Sequence, residues 1–334
     1  MVSIKDVARR AGVSPSTVSH VINRTRYVRP ETKQKVREAI DHLGFQPSTL
    51  ARALKMNRSN NIGMLVSSST NPFFAEVVRG VEEGCYQHNY SLILCNSGNE
   101  IERQLSYLNT LVRKRIDALV VMTNRSEPRF NEALQQLKNL PKVVLDSAPQ
   151  TNACTLQDDS ELGAKLAVDF LLQQDLQRIA CLTGPEGHPR SNERYRGYRE
   201  AMTTAGQEID PNLYASETLS VAGGYRAMQA ILLRFAPPHH PQAVFAFNDL
   251  MAIGAYRAIN EAGLEIPKDI SVIGYDDIEY ASYMSPLLTT IRQPSFDLGM
   301  SAAQTLINQL DNKQEMPPII KLVPELVIRQ SVKL

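Results

Sequence analysis

Apolar positions recur with a helical period along the first 45 residues. Ile4, Val7, Ala8 and Ala11 share one face of a first predicted helix, which Gly12 ends. Ser14 and Pro15 open a second helix: Ser serves as N-cap, and Pro takes the first helical position, where its missing N–H would have had no helical partner. Val18, Val21 and Ile22 then face inward, which turns Ser16, Thr17, His20 and Asn23 outward. A third helix follows Pro30, with Val36, Ala39, Ile40 and Leu43 inward and Gly44 as its stop.

From Asn61 onward the texture is different. Short runs rich in Val, Ile and Leu at 62–67, 90–95, 117–122, 142–146, 178–184, 243–247 and 270–276 predict strands. Helical patterns beginning near Phe74, Glu102, Leu162, Glu193, Gly224 and Asp249 separate most of them. Continuously apolar strands alternating with helices indicate parallel sheets covered on both faces, and a segment of this length suits two doubly wound subdomains better than one. Residues 46–60 read as a linker. Its stretch Pro47 to about Met56 predicts a helix too short to hold in water unless docked, with Leu50, Ala51 and Leu54 on one face.

Charge divides the chain at the same place. Residues 1–60 hold 12 Lys and Arg against 4 Asp and Glu, and the remainder holds 24 against 31. A head of +8 on a body of −7 points to a polyanionic partner for the head alone. The four cysteines (Cys85, Cys95, Cys154, Cys181) are scattered, without spacing for a zinc site or a disulfide framework. No apolar run is long enough to span a membrane and the opening MVSIKDVARR has no signal-peptide character, so a cytoplasmic protein without a membrane partner is expected. The phosphate-cradle, nucleophile-elbow and zinc-protease motifs are missing, so the expectation is a binding protein rather than an enzyme, with no cofactor and no metal.

Two short helices joined by a tight Gly-containing turn form a helix-turn-helix unit, whose second helix enters the major groove of DNA and reads base edges from its N-terminal end. Ser16, Thr17 and His20 suit that task, while Arg10, Arg24 and Arg26 are placed for phosphate. An exposed leucine in the linker suits a wedge between base steps of the minor groove.

The stretches IKDVARRAGVSPSTVSHVINRTRYVRPET, PSTLARALK, IGMLV and VIGYDD together closely resemble the lactose/purine/ribose repressor family, collinearly over nearly the whole chain. The resemblance, closest to ribose operon repressors, implies a small all-α helix-turn-helix DNA-binding domain at 1–45 and a hinge helix and linker at 46–60. It also implies an α/β periplasmic-binding-protein-like core at 61–334, built from two doubly wound parallel-sheet subdomains. One subdomain would take about 61–160 and 292–320, the other about 161–291 and 321–334. It further implies a homodimer on palindromic double-stranded operator DNA. Ser16, Thr17, His20, Asn23 and Arg26 would be its major-groove or backbone contacts, Leu54 the leucine inserted at the central step, and Lys55 a minor-groove contact. Pro15 and Arg29 depart from the family, where Thr and a Ser cap are common.

A two-lobed clamp of this class binds small molecules in the crevice at the carboxyl ends of its strands. Polar residues stand there: Asn71 with Phe73 and Phe74 after the first strand, Asp146, Arg194, Asn248, Asp276, and Gln293 at the end of TTIRQ. Carboxylates, amides, an Arg fork and aromatic faces are what a sugar requires. The resemblance makes these eight the ligand positions of ribose-binding proteins and ribose repressors; purine repressors lack an Asn matching Asn248. Ser147 departs from the Arg or Trp found at its position. That leaves ribose, another pentose, a hexose or a phosphorylated sugar as effector, with His188 and Arg190 near enough to consider for a phosphate. Sugar-induced release from the operator is the expected linkage, corepression the alternative.

Overall fold

A computed structural model describes residues 2–23, 25–45, 58–123, 127–147, 152–235 and 239–334. The expected hinge helix, with Leu54 and Lys55, lies outside the described residues, as does Arg24. Contacts divide the chain into two compact units, residues 1–60 and 61–334.

The first unit holds α1 (Ile4–Ala11), α2 (Pro15–Asn23) and α3 (Pro30–Leu43). Val7, Ala8, Val18, Val21, Val36 and Ala39 form its core, with Ile22, Ile40 and Leu43 packed around them. The local punctuation is physical. Gly12 and Gly44 close α1 and α3 in the left-handed region at φ 66° and 57°, where a Cβ would be strained. The Ser14 hydroxyl accepts the Thr17 N–H at 3.1 Å and so caps α2. Arg29 precedes α3 without a side-chain cap.

The second unit is two lobes of one design. In the first lobe, β1 (Asn61–Val66), β2 (Ser91–Asn96), β3 (Ala118–Met122), β4 (Lys142–Leu145), β5 (Cys154–Asp158) and β11 (Ile319–Leu322) line up in the order β11-β5-β4-β3-β1-β2, all parallel. The helices α4 (Pro72–Gln87), α5 (Ile101–Arg113), α6 (Pro128–Gln136) and α11 (Ser295–Asn312) belong to it. In the second lobe, β6 (Ile179–Thr183), β7 (Tyr214–Ser216), β8 (Ala243–Ala246), β9 (Ser271–Asp276), β10 (Thr289–Arg292) and β12 (Glu325–Val327) run β12-β10-β9-β8-β6-β7, with only β12 antiparallel. Its helices are α7 (Ser160–Gln173), α8 (Pro189–Thr204), α9 (Val221–Arg234) and α10 (Asp249–Glu261).

Each sheet starts one strand in from its edge, at β1 or β6, adds the edge strand and then reverses direction, which opens a crevice at the carboxyl ends of the strands, as in other open α/β sheets. The chain crosses between lobes three times: after β5, after β10 and after β11. Arg292 still belongs to the second lobe and Leu322 to the first, so the crossings expected at 292 and 321 move by one or two residues. The reason is that each strand ends where its ladder ends, at the pairs Arg292 with Asp276 and Leu322 with Asp158. Apolar side chains also join the lobes: Leu250 and Ile253 of α10, with the buried Ile278, pack onto the first-lobe core of Phe73, Phe74, Val77 and Val81.

Candidate functional site

On the head, α2 presents Ser16 and Asn23 exposed, with Thr17 and His20 half-buried at their bases, while Arg26 is exposed in the turn that follows. His20 is held at Nδ1 by the Thr25 hydroxyl at 2.8 Å, and Asn23 donates to the Ser19 carbonyl at 2.9 Å. These bonds fix the aim of two side chains before any ligand arrives. Tyr27, beside Arg26, is 87% exposed.

In the core, the predicted residues fall at strand ends and helix starts, each for a local reason. Asn71 caps α4 by accepting the Phe73 N–H at 3.0 Å, and Asn248 caps α10 by accepting the Met251 N–H at 2.8 Å. Both amides are therefore held through Oδ1, and among the described residues the Asn248 Nδ2 has only a long 3.4 Å contact to the Leu219 carbonyl. Phe73 and Phe74 are buried, their rings 5.7 Å apart. Phe73 shares with Asp276 and Gln293 a cavity of about 660 Å³. Asp146 and Asp276 take positive φ, 52° and 113°. Such backbone is costly for a residue with a Cβ and concentrates where a side chain must be aimed.

Arg194 is the centre of the cleft. Its guanidinium lies 3.7 Å above the Tyr275 ring, donates from Nη1 to the Phe247 carbonyl beside Asn248, and has Nη2 3.8 Å from Asp276 Oδ1. Gln293 donates to that same Oδ1 at 2.6 Å. Arg190 comes across from the second lobe, its Nε 3.8 Å from Asp146 Oδ1 of the first. Arg190, Arg194, Asp276 and Gln293 are each 6% exposed or less. Five atoms of this cluster, Asp146 Oδ1, Arg190 Nε and Nη1, Arg194 Nε and Gln293 Oε1, are buried without a hydrogen-bond partner among the described residues. Buried polar atoms are costly unless bonded, so three donors and two acceptors left in this cluster suit it to a polar ligand.

Burial pushes the Asp276 carboxyl well above the usual range against the pull of Arg194. Burial also opposes the charge on Arg194, but Tyr275, Asp276, Asp158 and Asp146 outweigh it and hold the guanidinium charged.

Asp158 and Tyr275 were not foreseen. Asp158 ends β5 of the first lobe, buried, and accepts from the Tyr275 hydroxyl of β9 in the second lobe and from Ser160 at 2.8 Å. The pair ties the lobes at a crossing. Gly163 makes room for it: a Cβ there would lie 2.3 Å from the Tyr275 hydroxyl oxygen. Gly163→Ala is therefore expected to displace Tyr275 and cost about 1–3 kcal/mol, read as a lowered midpoint in denaturant.

Asp249, fully buried next to Asn248, accepts from the Thr290 hydroxyl at 2.6 Å and from the Ile278 N–H at 2.9 Å. Burial pushes its carboxyl up to about 7 in spite of both bonds. Between about pH 4 and 7 the folded chain thus holds a proton that the unfolded chain has released, and stability falls as pH rises through that window. Asp249→Asn is expected to remove this part of the slope, on the order of 3 kcal/mol, in denaturant titrations at pH 5 and 8.

Among the described residues no group of three His, Cys, Asp or Glu side chains is placed to hold a metal ion, and no helix is long and apolar enough to cross a membrane.

A helix-turn-helix head and a two-lobed clamp with a polar cleft define a regulator that reads DNA and senses a small molecule. Residues 3–48 match the bacterial regulatory proteins of the lacI family, and residues 168–332 match the periplasmic binding protein-like domain. The chain belongs to the lacI family. It is 44% identical over 332 residues to the ribose operon repressor of Escherichia coli K12, across 99% of this chain and all of that protein. It is 43% identical to the HTH-type transcriptional repressor PurR of Vibrio campbellii, across all of this chain and 99% of that one. Among solved structures, the lac repressor dimer bound to operator and the anti-inducer ONPF matches 99% of this chain and 98% of that chain, at TM-score 0.90 and 30% identity. A LacI-family regulator from Enterococcus faecium with bound ribose matches 81% of this chain and 98% of that chain, at TM-score 0.72 and 34% identity.

Proposed function

We propose that the protein is a cytoplasmic homodimeric repressor of a sugar-catabolic operon, released from a palindromic operator by ribose or a closely related sugar. The observation that carries the sugar reading is a cluster of buried polar groups where the lobes meet: Asp146, Arg190, Arg194 and Gln293 each keep a buried polar atom without a hydrogen-bond partner among the described residues. Sugar hydroxyls donate and accept at once, so they satisfy carboxylate, amide and guanidinium together. Ribose is favoured over other sugars by the 44% identity to a ribose operon repressor and by the ribose bound in a 34% identical relative.

In this reading Asn71, Asp146, Arg194, Asn248, Asp276 and Gln293 bond the hydroxyls, and Phe73 and Phe74 cover the ring. Ser16, Thr17, His20 and Asn23 read the major groove and Arg26 takes phosphate, while Leu54 and Lys55 act in the minor groove. Sugar bound between the lobes favours their closed arrangement, and the dimer then loses affinity for DNA by the difference in sugar affinity between its two states, typically about 1–3 kcal/mol.

A second reading, a purine-responsive repressor, has the near-equal 43% identity to PurR in its favour. Fluorescence anisotropy on a labelled palindromic operator, with ribose and with hypoxanthine added in turn, separates them. Release by ribose alone is expected. Tightened binding with hypoxanthine and no response to ribose would replace the first reading by the second.

A further inference from the structure

Arg190 and Glu193 stand one turn apart at the start of α8. The Arg190 side chain is 3% exposed and Glu193 21%. Nη2 donates to Glu193 Oε1 at 2.7 Å, and Nη1 lies 2.6 Å from Oε2 as an ion pair without hydrogen-bond alignment. The third edge of the guanidinium, Nε, faces Asp146 Oδ1 at 3.8 Å, a gap too long for a hydrogen bond. One hydroxyl bonded to both sides spans such a gap, accepting from Nε and donating to Oδ1.

The charges around this point decide what else fits. Two cations, Arg190 and Arg194, face four carboxylates: Asp146, Asp158, Glu193 and Asp276. His188, at the cap of α8, accepts the Ser191 N–H on Nδ1, and burial with Arg194 and Arg190 nearby pushes it down to about 4, so it is neutral in the cell. The phosphate alternative left open by the sequence named His188 and Arg190 as the groups to hold it. One is uncharged and the other is already neutralised.

We propose that Arg190 and Glu193 are the selectivity element of the cleft: Arg190 bonds a sugar hydroxyl through Nε, while Glu193 occupies its fork and excludes a phosphate, so the effector is an uncharged sugar. A phosphate ester carries nearly two negative charges, and here Arg190 is already paired with Glu193 and Arg194 lies against Asp276, so no unpaired cation receives it. Glu193 acts through Arg190 as a positioning residue. The inference rests on the sugar-sensor reading above and deepens it.

The test is calorimetric titration of the full chain at neutral pH with ribose, glucose and fructose and with the monophosphate ester of each. The wild type is expected to bind its free sugar at least about 100-fold more tightly than the ester of that sugar. Glu193→Gln opens the Arg190 fork and should narrow the ratio at least about tenfold, while Glu193→Asp, which keeps the charge, should restore it. A general loss of packing would weaken both ligands together and leave the ratio unchanged. An ester bound as tightly as its sugar by the wild type overturns the proposal, as does a ratio unmoved in folded Glu193→Gln. Should that variant not fold, the wild-type ratio decides. A neutral sugar other than ribose bound selectively overturns the ribose assignment and supports this inference; no binding by any of the six overturns both.

Discussion

Arg194→Met is expected to give a repressor that holds its operator and no longer responds to sugar. Methionine keeps much of the volume and removes the charge from above Tyr275, leaving Asp276 and Asp158 without their nearest cation. Breaking a buried pair by deleting one partner costs about 3–5 kcal/mol, and the same energy lost from binding is a fall of about 10²- to 10⁴-fold in sugar affinity where the pair also orients the ligand. Stability should change with a recognisable pH signature. Burial already raises both carboxyls, and without Arg194 they rise further, so the folded variant binds protons that the unfolded chain has released. The variant is therefore expected to be most depleted in stability at pH 8 and to recover on acidification toward pH 5. Titration calorimetry with ribose and denaturant curves at the two pH values measure both effects. Sugar-induced operator release at wild-type concentrations would refute the role assigned to Arg194.

Operator affinity should collapse with salt. A head holding 12 basic against 4 acidic residues, doubled in a dimer, displaces condensed counterions from DNA. With about 6–10 phosphates contacted, affinity falls about 10³- to 10⁵-fold between 50 and 200 mM monovalent salt. Arg26→Ala removes one exposed cation from each copy, so the slope of log affinity against log salt should become shallower by about two, similarly for specific and random duplex. His20→Ala, by contrast, should lower the preference for the palindrome and leave the slope nearly unchanged, since base contacts release few counterions. Anisotropy titrations over a salt series read both.

Much of this architecture was legible before any coordinates. The head was the clearest part, because each boundary has its own local cause: a Ser-Pro cap at 14–15 and left-handed glycines at 12 and 44. The continuously apolar strands β1, β3, β4, β6, β8 and β9 were equally plain, since central strands of parallel sheets are covered on both faces. The strands missing from the pattern were of another kind. β5 reads CTLQD, with Thr155 and Gln157 buried despite their polarity. β7 is three residues long, and β11 and β12 are sheet-edge segments whose partners, β5 and β10, are distant in sequence. None has a local cause strong enough to announce it. The helices α6 and α11 were also missed, although α11 packs closely on α4, with Gly80 and Gly299 each facing the other helix's backbone.

What the sequence determined alone was the identity and alternation of the elements and the strand-end position of each polar candidate, because periodicity, capping and turn chemistry act over a few residues. It could not determine which charges meet. Asp158 with Tyr275 and Asp146 with Arg190 depend on two lobes brought together by three chain crossings, and on side-chain directions set by strained backbone at Asp146 and Asp276. Electrostatic energy depends on distance and burial, and both come into being only when residues far apart in the chain share a dry cleft.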